Sequence, residues 1–205
     1  MVREELNPDL CAVLLAGGQS RRMGTDKALL RVGSTPMIAR LIAECRRLTD
    51  EIRISAAAGG DYASFGVPVV PDVHAEQGPL SGLHAGLLST VRPFVLLLAC
   101  DLPGARADWL RRVIAFAPHH DAVIPRTADG RVHPLCAVYS RRCLPAVEHN
   151  LASGRNKMTA LFDGGELRVL WLDGASGGFA DRDLHNINTP EDLAAYLGET
   201  PRTHI

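Results

Sequence analysis

No Cys-x-x-Cys pair occurs among the five cysteines of this sequence, Cys11, Cys45, Cys100, Cys136 and Cys143, and their number is odd. Three of them lie in or beside apolar runs, where a free thiol packs as a small hydrophobe, so they are expected to be reduced and mostly structural. The eight histidines have no H-E-x-x-H or Cys-His zinc spacing, and the adjacent His119 and His120 cannot share one face of a helix. No Ser-His-Asp or Cys-His arrangement stands out either. A continuous apolar run of membrane-spanning length is missing, and residues 1–5 carry acids with no apolar core before Leu10, which points to a cytoplasmic location. An excess of one charge is missing too. Lys plus Arg number 22 and Asp plus Glu 23, for a formal charge of −1. Without a global basic field to hold nucleic acid, any anion site must be built locally, and the substrate is expected to be small. No linker of Pro, Ser or like charge divides the 205 residues, a length that suffices for one well-buried α/β domain over residues 1–205.

What the chain does have is a loop. The apolar run Cys11-Ala12-Val13-Leu14 leads straight into Leu15-Ala16-Gly17-Gly18-Gln19-Ser20-Arg21-Arg22-Met23-Gly24-Thr25-Asp26-Lys27. Glycines let a backbone approach an anion with its N–H groups inward, and Arg21, Arg22 and Lys27 supply charge. The loop is not of the Walker type, because no Ser or Thr follows a Gly-Lys pair, and Gly17, Gly18 and Gly24 lack the dinucleotide spacing. Paired glycines at a turn are common. The density of cations within ten residues favours a phosphate site.

Strand-like and helix-like segments alternate along the chain. Strands are expected at residues 11–16, 51–57, 67–70, 94–99, 122–125, 135–139 and 167–172. Helices are expected at 37–48, 80–90, 109–116, 141–151 and 190–197, the last with Thr189 as N-cap and Pro190 at its first position. Residues 173–178 read as a flexible loop with no assignable role. The order predicts a Rossmann-like three-layer α/β fold with helices packed on a mostly parallel sheet. In such a fold ligands sit beyond the carboxyl ends of the strands, where the loop after Ala16, the Pro71-Asp72 corner and Asp101 would converge.

Asp101 ends the apolar run Phe94-Val95-Leu96-Leu97-Leu98-Ala99-Cys100 and precedes Leu102-Pro103-Gly104. An aspartate before a proline can be a turn cap. A buried strand that ends in a carboxylate calls for a partner, however, and Mg²⁺ on a triphosphate, which takes one or two protein carboxylates, is a fitting one. Gly78-Pro79-Leu80-Ser81-Gly82 makes a second glycine turn, open to reading as a plain helix start or as a surface for a nucleotide. Asp72, after Pro71, reads equally as a turn aspartate.

The string L-A-G-G-x-S-x-R-M-G-x-D-K resembles the nucleotide-binding loop of the molybdenum cofactor guanylyltransferases, within the wider group of nucleotidyltransferases acting on sugar phosphates and cofactors. Pro71-Asp72 with Gly78-Pro79-Leu80-Ser81-Gly82-Leu83, then Ala99-Cys100-Asp101-Leu102-Pro103, then Asn186-Ile187-Asn188-Thr189-Pro190-Glu191-Asp192-Leu193 match in the same order, so the resemblance runs from residue 11 to residue 197. It implies transfer of GMP from GTP to molybdopterin with release of pyrophosphate. Asp101 would be the Mg²⁺ ligand, and Lys27 and Arg22 would act on the triphosphate with the Gly17-Gly18 backbone. Asp72 would contact the guanine nucleotide, as would the backbone of Leu15 and Ala16. The segment from Gly78 to Gly82 would serve base and sugar, and Asn186 and Asn188 would lie on the molybdopterin side.

Nucleotidyl transfer consists chiefly of alignment and charge neutralisation, so no covalent nucleophile is required. Arg131-Val132-His133-Pro134 and Gly154-Arg155-Asn156-Lys157-Met158 collect further basic and amide groups suited to a pterin and a phosphate, or form a solvated face. Transient contact with other proteins of molybdenum cofactor biosynthesis, or with acceptor molybdoenzymes, fits such a product. Three alternatives stay open: transfer of CMP from CTP, a sugar-phosphate substrate, and a non-catalytic nucleotide or cofactor carrier. The cytidylyl relatives tend to read L-A-A-G and R-F-G where this chain has Leu15-Ala16-Gly17-Gly18 and Arg22-Met23-Gly24.

Overall fold

The computed structural model describes residues 5–16, 27–56, 62–72 and 77–199. Gly17, Gly18 and Arg22 lie outside them. The chain opens with β1 (Leu10–Leu15), followed by a 3-10 turn at Lys27–Leu29 and a small antiparallel ribbon of β2 (Arg31–Val32) and β3 (Thr35–Pro36). Then come α1 (Met37–Cys45), β4 (Glu51–Ala56), β5 (Val69–Pro71), α2 (Pro79–Leu88) and β6 (Phe94–Ala99). The second half holds α3 (Ala107–Ala115), β7 (Ala122–Arg126), β8 (Cys136–Ser140), α4 (Leu144–Ala152), β9 (Val169–Asp173), the single turn α5 (Gly174–Gly177) and α6 (Pro190–Glu199).

Among the described residues seven strands form one sheet in the order β5-β4-β1-β6-β8-β7-β9. All neighbours run parallel except β8, which is antiparallel to both β6 and β7. The mostly parallel three-layer fold expected from the sequence is therefore the one observed. Alternation of side chains across the pleat builds the layers. Leu10, Ala12, Leu14, Leu96 and Leu98 pack on one face with α1 and α3, while Cys11, Val13, Val95 and Leu97 pack on the other with α2 and α4.

Helix α2 lies unusually close to β1. From Leu80 to Leu87 every residue is buried, and the two glycines face the strand. A Cβ at Gly82 would stand 2.4 Å from Leu15 Cδ2, and one at Gly86 would stand 2.9 Å from Val13 Cγ2. Only glycine permits that approach.

Several local details depart from the sequence expectation: β5 starts at Val69 rather than residue 67, α2 ends at Leu88 rather than residue 90, and the ribbon of β2 and β3 is not among the expected strands. The helix expected over 141–151 starts as a 3-10 turn, Arg141–Cys143, with the Ser140 hydroxyl accepting from the Arg142 N–H, before α4 begins at Leu144. Helix α1 stops at Cys45 rather than at residue 48. Residues 173–178 are a capped helical turn rather than a flexible loop, because the Asp173 carboxylate accepts from the Ser176 N–H at 2.8 Å and Gly178 closes the turn with φ +72°. All five cysteines are buried, and none is in a disulfide.

Candidate active site

Strand β1 lies between β4 and β6, and the chain reaches these two neighbours by crossovers on opposite faces of the sheet. Such a switch point opens a crevice beyond the carboxyl ends of the three strands. Strand β1 ends there at Leu15, and the next described residue after Ala16 is Lys27, at the start of a 3-10 turn.

The edge of the crevice is cross-linked. The Cys100 N–H donates to the Leu15 carbonyl at 3.2 Å, and the Ala16 N–H donates to the Ser55 carbonyl at 2.8 Å. The Tyr62 hydroxyl, on a ring only 2% exposed, donates to the Ala16 carbonyl at 2.8 Å. Both backbone groups of Ala16 are thus engaged, and what its main chain can still offer a base is the second lone pair of its carbonyl. On the β4 side the Ser55 hydroxyl donates to Asp72 Oδ1, so the half-buried carboxylate is held at the exit of β5. Ser55 also limits α2, since a Cβ at Gly82 would lie 3.1 Å from its Oγ. Gly78, with φ +69°, turns the chain into that helix.

Asp101 lies two residues past the end of β6, after Cys100, and is half-buried. Its Oδ1 accepts from Asn186 Nδ2 at 2.9 Å, and its backbone carbonyl accepts from the Ile187 N–H at 2.8 Å. Asn186 and Asn188 line a cleft of about 590 Å³ together with Gly104, Arg131, Asp192 and Tyr196 among others. Asp192 accepts from the Asn188 and Thr189 N–H groups at 2.8 and 2.9 Å, and Thr189 Oγ1 accepts from the Asp192 N–H at 3.1 Å. That reciprocal pair caps α6 as its sequence leads one to expect.

The reversed strand β8 explains how Arg131 comes to this edge. Because β8 runs against β6, its first residue, Cys136, lies opposite Leu98 near the carboxyl end of β6. The Ala99 N–H accordingly meets the Leu135 carbonyl at 2.8 Å. The segment just before β8, which carries Arg131 and His133, is thereby delivered to the edge where the parallel strands end. His133 is 7% exposed, and burial, with Arg131 next in effect, pushes its pKa below the ordinary imidazole value. Near neutrality it is an uncharged ring, while the guanidinium of Arg131 carries the charge at the cleft.

The structure thus brings Leu15, Ala16, Asp72, Gly78 and Gly82 to one part of the edge, and Asp101, Asn186 and Asn188 to the next. Gly17, Gly18 and Arg22 fall outside the described residues. Ser55 and Tyr62 are absent from the sequence-based set. Ser55 had a signal, a lone polar residue near the end of an apolar strand beside a suspected site, whereas Tyr62 had none. Among the described residues no group of three or more His, Cys, Asp or Glu side chains forms a metal cage. No helix there is long and apolar enough to cross a membrane.

Known proteins are similar to this chain in sequence and in fold. A family model described as a MobA-like NTP transferase domain matches residues 12–168. A protein of Pelotomaculum thermopropionicum named "Probable molybdenum cofactor guanylyltransferase" is 36% identical over 196 residues, covering 93% of this chain and 94% of that protein. One of Desulfosudis oleivorans named "Molybdenum cofactor guanylyltransferase" is 35% identical over 186 residues, covering 88% and 91%. The crystal structure of molybdopterin-guanine dinucleotide biosynthesis protein A from Archaeoglobus fulgidus superposes with a TM-score of 0.76 at 20% identity, covering 91% of this chain and 96% of that one. At that identity the structural likeness speaks for the fold alone.

Proposed function

This chain belongs to the MobA-like NTP transferase family, and we propose that it transfers GMP from GTP to molybdopterin, releasing pyrophosphate and forming the guanine dinucleotide form of the molybdenum cofactor. The observation that carries the reading is that relatives 36% and 35% identical over most of the chain bear the name molybdenum cofactor guanylyltransferase. A crevice at the ends of β1, β4 and β6, with the carboxylate of Asp101 just beyond β6, supports it. The whole of residues 1–205 acts as one domain, in the cytoplasm.

An oxygen of the acceptor's terminal phosphate forms a bond to the α-phosphorus of GTP while the bond from that phosphorus to the bridging oxygen breaks. The acceptor phosphate is already ionised, so no general base is needed. The protein's task is to align the two phosphates and balance their charge. Arg22, Lys27 and the N–H groups of Gly17 and Gly18 face the triphosphate in this reading. Asp72 and the segment from Gly78 to Gly82 serve the guanine and ribose, with backbone atoms of Leu15 and Ala16. Asn186 and Asn188 border the acceptor. A half-buried carboxylate at a strand end, with no group of three or more His, Cys, Asp or Glu side chains around it among the described residues, is a donor set that suits Mg²⁺, which keeps waters and shares phosphate oxygens. Asp101 would hold it, and the ion when bound would neutralise charge on the transferring and leaving phosphates.

The test is pyrophosphate release from the purified protein with Mg²⁺ and intact molybdopterin, GTP beside CTP. Release with GTP alone is expected, falling at least about a hundredfold in Asp101→Asn, the scale on which one preorganised charge partner acts. Release with CTP alone would move the chain to the cytidylyl branch, and release with neither would favour a carrier.

A further inference from the structure

Asn186 faces two ways. It lines the cleft, and its side chain also reaches the carboxylate of Asp101, 85 residues earlier in the chain. A carboxylate only accepts, which fixes Nδ2 as the atom turned toward Oδ1. The Ile187 N–H binds the carbonyl of the same aspartate, so consecutive residues of one segment hold both its side chain and its main chain.

That segment is itself anchored. Ile187 is 2% exposed and packs with Val32 and Met37, with Leu193 and Tyr196 of α6 alongside. The Tyr196 hydroxyl donates to the Pro103 carbonyl at 3.2 Å, and Asp192 ties the Asn188 and Thr189 N–H groups. Residues 186–188 and the start of α6 thus form a strap across the exit of β6. The same strap supplies Asn186, Ile187, Asn188, Asp192 and Tyr196 to the wall of the cleft. A molecule seated in the cleft would therefore touch the segment that holds the Asp101 carboxylate.

We propose that Asn186 is a positioning residue for Asp101, and that through it occupancy of the cleft by the acceptor is coupled to divalent metal binding. This rests on Asp101 being the metal ligand. A donor on Oδ1 selects one orientation of the carboxylate, and outer partners of this kind change metal affinity about 10- to 100-fold when removed. Coupling between two sites is reciprocal, so the acceptor tightens the metal by the same factor that the metal tightens the acceptor.

Mn²⁺ binding read by electron paramagnetic resonance, with α,β-methylene GTP in place of GTP, measures this without turnover. Asn186→Ala and the near-isosteric Asn186→Leu are expected to weaken Mn²⁺ about tenfold or more. Binding of the nucleotide analogue without metal is expected to stay within about twofold, which a general collapse of the site would not allow. Molybdopterin is expected to tighten Mn²⁺ about fivefold or more in the parent protein and not in Asn186→Leu. Unchanged Mn²⁺ affinity in both variants, or an equal response to molybdopterin in parent and Asn186→Leu, overturns the proposal. Asp101→Asn separates the two levels. Mn²⁺ binding indifferent to that change removes the metal reading itself, whereas dependence on Asp101 with indifference to Asn186 removes only the link.

Discussion

Ser55 and Asp72 hold one another at the crevice edge, the buried Ser55 hydroxyl donating to the Asp72 carboxylate. A hydrogen bond to a charged group contributes about 1.5–3 kcal/mol. Ser55→Ala is therefore expected to lower GTP affinity about tenfold by freeing the carboxylate from its set orientation. Isothermal titration calorimetry checks it, and an unchanged affinity would detach Asp72 from recognition of the nucleotide.

Two glycines of the second turn are expected to respond differently to alanine. At Gly82 the added Cβ meets Leu15 Cδ2 at 2.4 Å, and overpacking of this kind costs about 1–3 kcal/mol. At Gly78 nothing lies within 4 Å, but φ +69° with ψ −159° is a backbone conformation that essentially only glycine adopts, and holding alanine there costs about 1–3 kcal/mol. Urea denaturation is expected to show both variants destabilised, Gly82→Ala through packing and Gly78→Ala through the backbone. A Gly82→Ala protein as stable as the parent would mean that α2 shifts away from β1 at little cost.

Tyr62→Phe deletes the donor to the Ala16 carbonyl while keeping the buried ring. A loss of about 1 kcal/mol of unfolding free energy is expected, again from urea curves. Ala16 is proposed to meet the nucleotide, so GTP titration of the same variant reports whether it needs that anchor.

The thiols make a pH prediction. Burial pushes Cys11 up to about 11 and both Cys45 and Cys143 up to about 12, from an ordinary 9.0. A raised pKa means that the folded protein keeps protons which the unfolded chain gives up. This stabilisation is complete below pH 9.0 and is lost as pH rises through about 11 to 12. The urea midpoint is expected to fall as pH is raised above about 9. At about pH 8 a thiol reagent should react slowly with the native protein and rapidly with all five cysteines after unfolding.

The sequence and the fold agree most closely where burial is strongest. The run from Phe94 to Ala99 is apolar on both faces because helices cover both, and its limits as a strand match those read from composition. The cap at Thr189 and Pro190 was legible because its partner, Asp192, lies three residues away. The ribbon of β2 and β3 was not, since two-residue strands leave no periodicity. The same contrast holds at the site. Asp101 announces itself by ending an apolar strand, but its hydrogen bond to Asn186 joins residues brought together only by the completed sheet and has no local signature.

Within the seven-stranded sheet of the described residues, only β8 runs against its neighbours. The consequence is modularity. Residues 127–135 form a loop between the paired strands β7 and β8, and it opens onto the cleft at Arg131. The groups around Leu15, Ser55 and Asp72 are set by the β1, β4 and β5 ladders on the far side of β6. Exchanging or lengthening that one loop would remodel the cleft while leaving the hydrogen bonds around Leu15, Ser55 and Asp72 in register, which makes it the natural point at which to graft a new specificity.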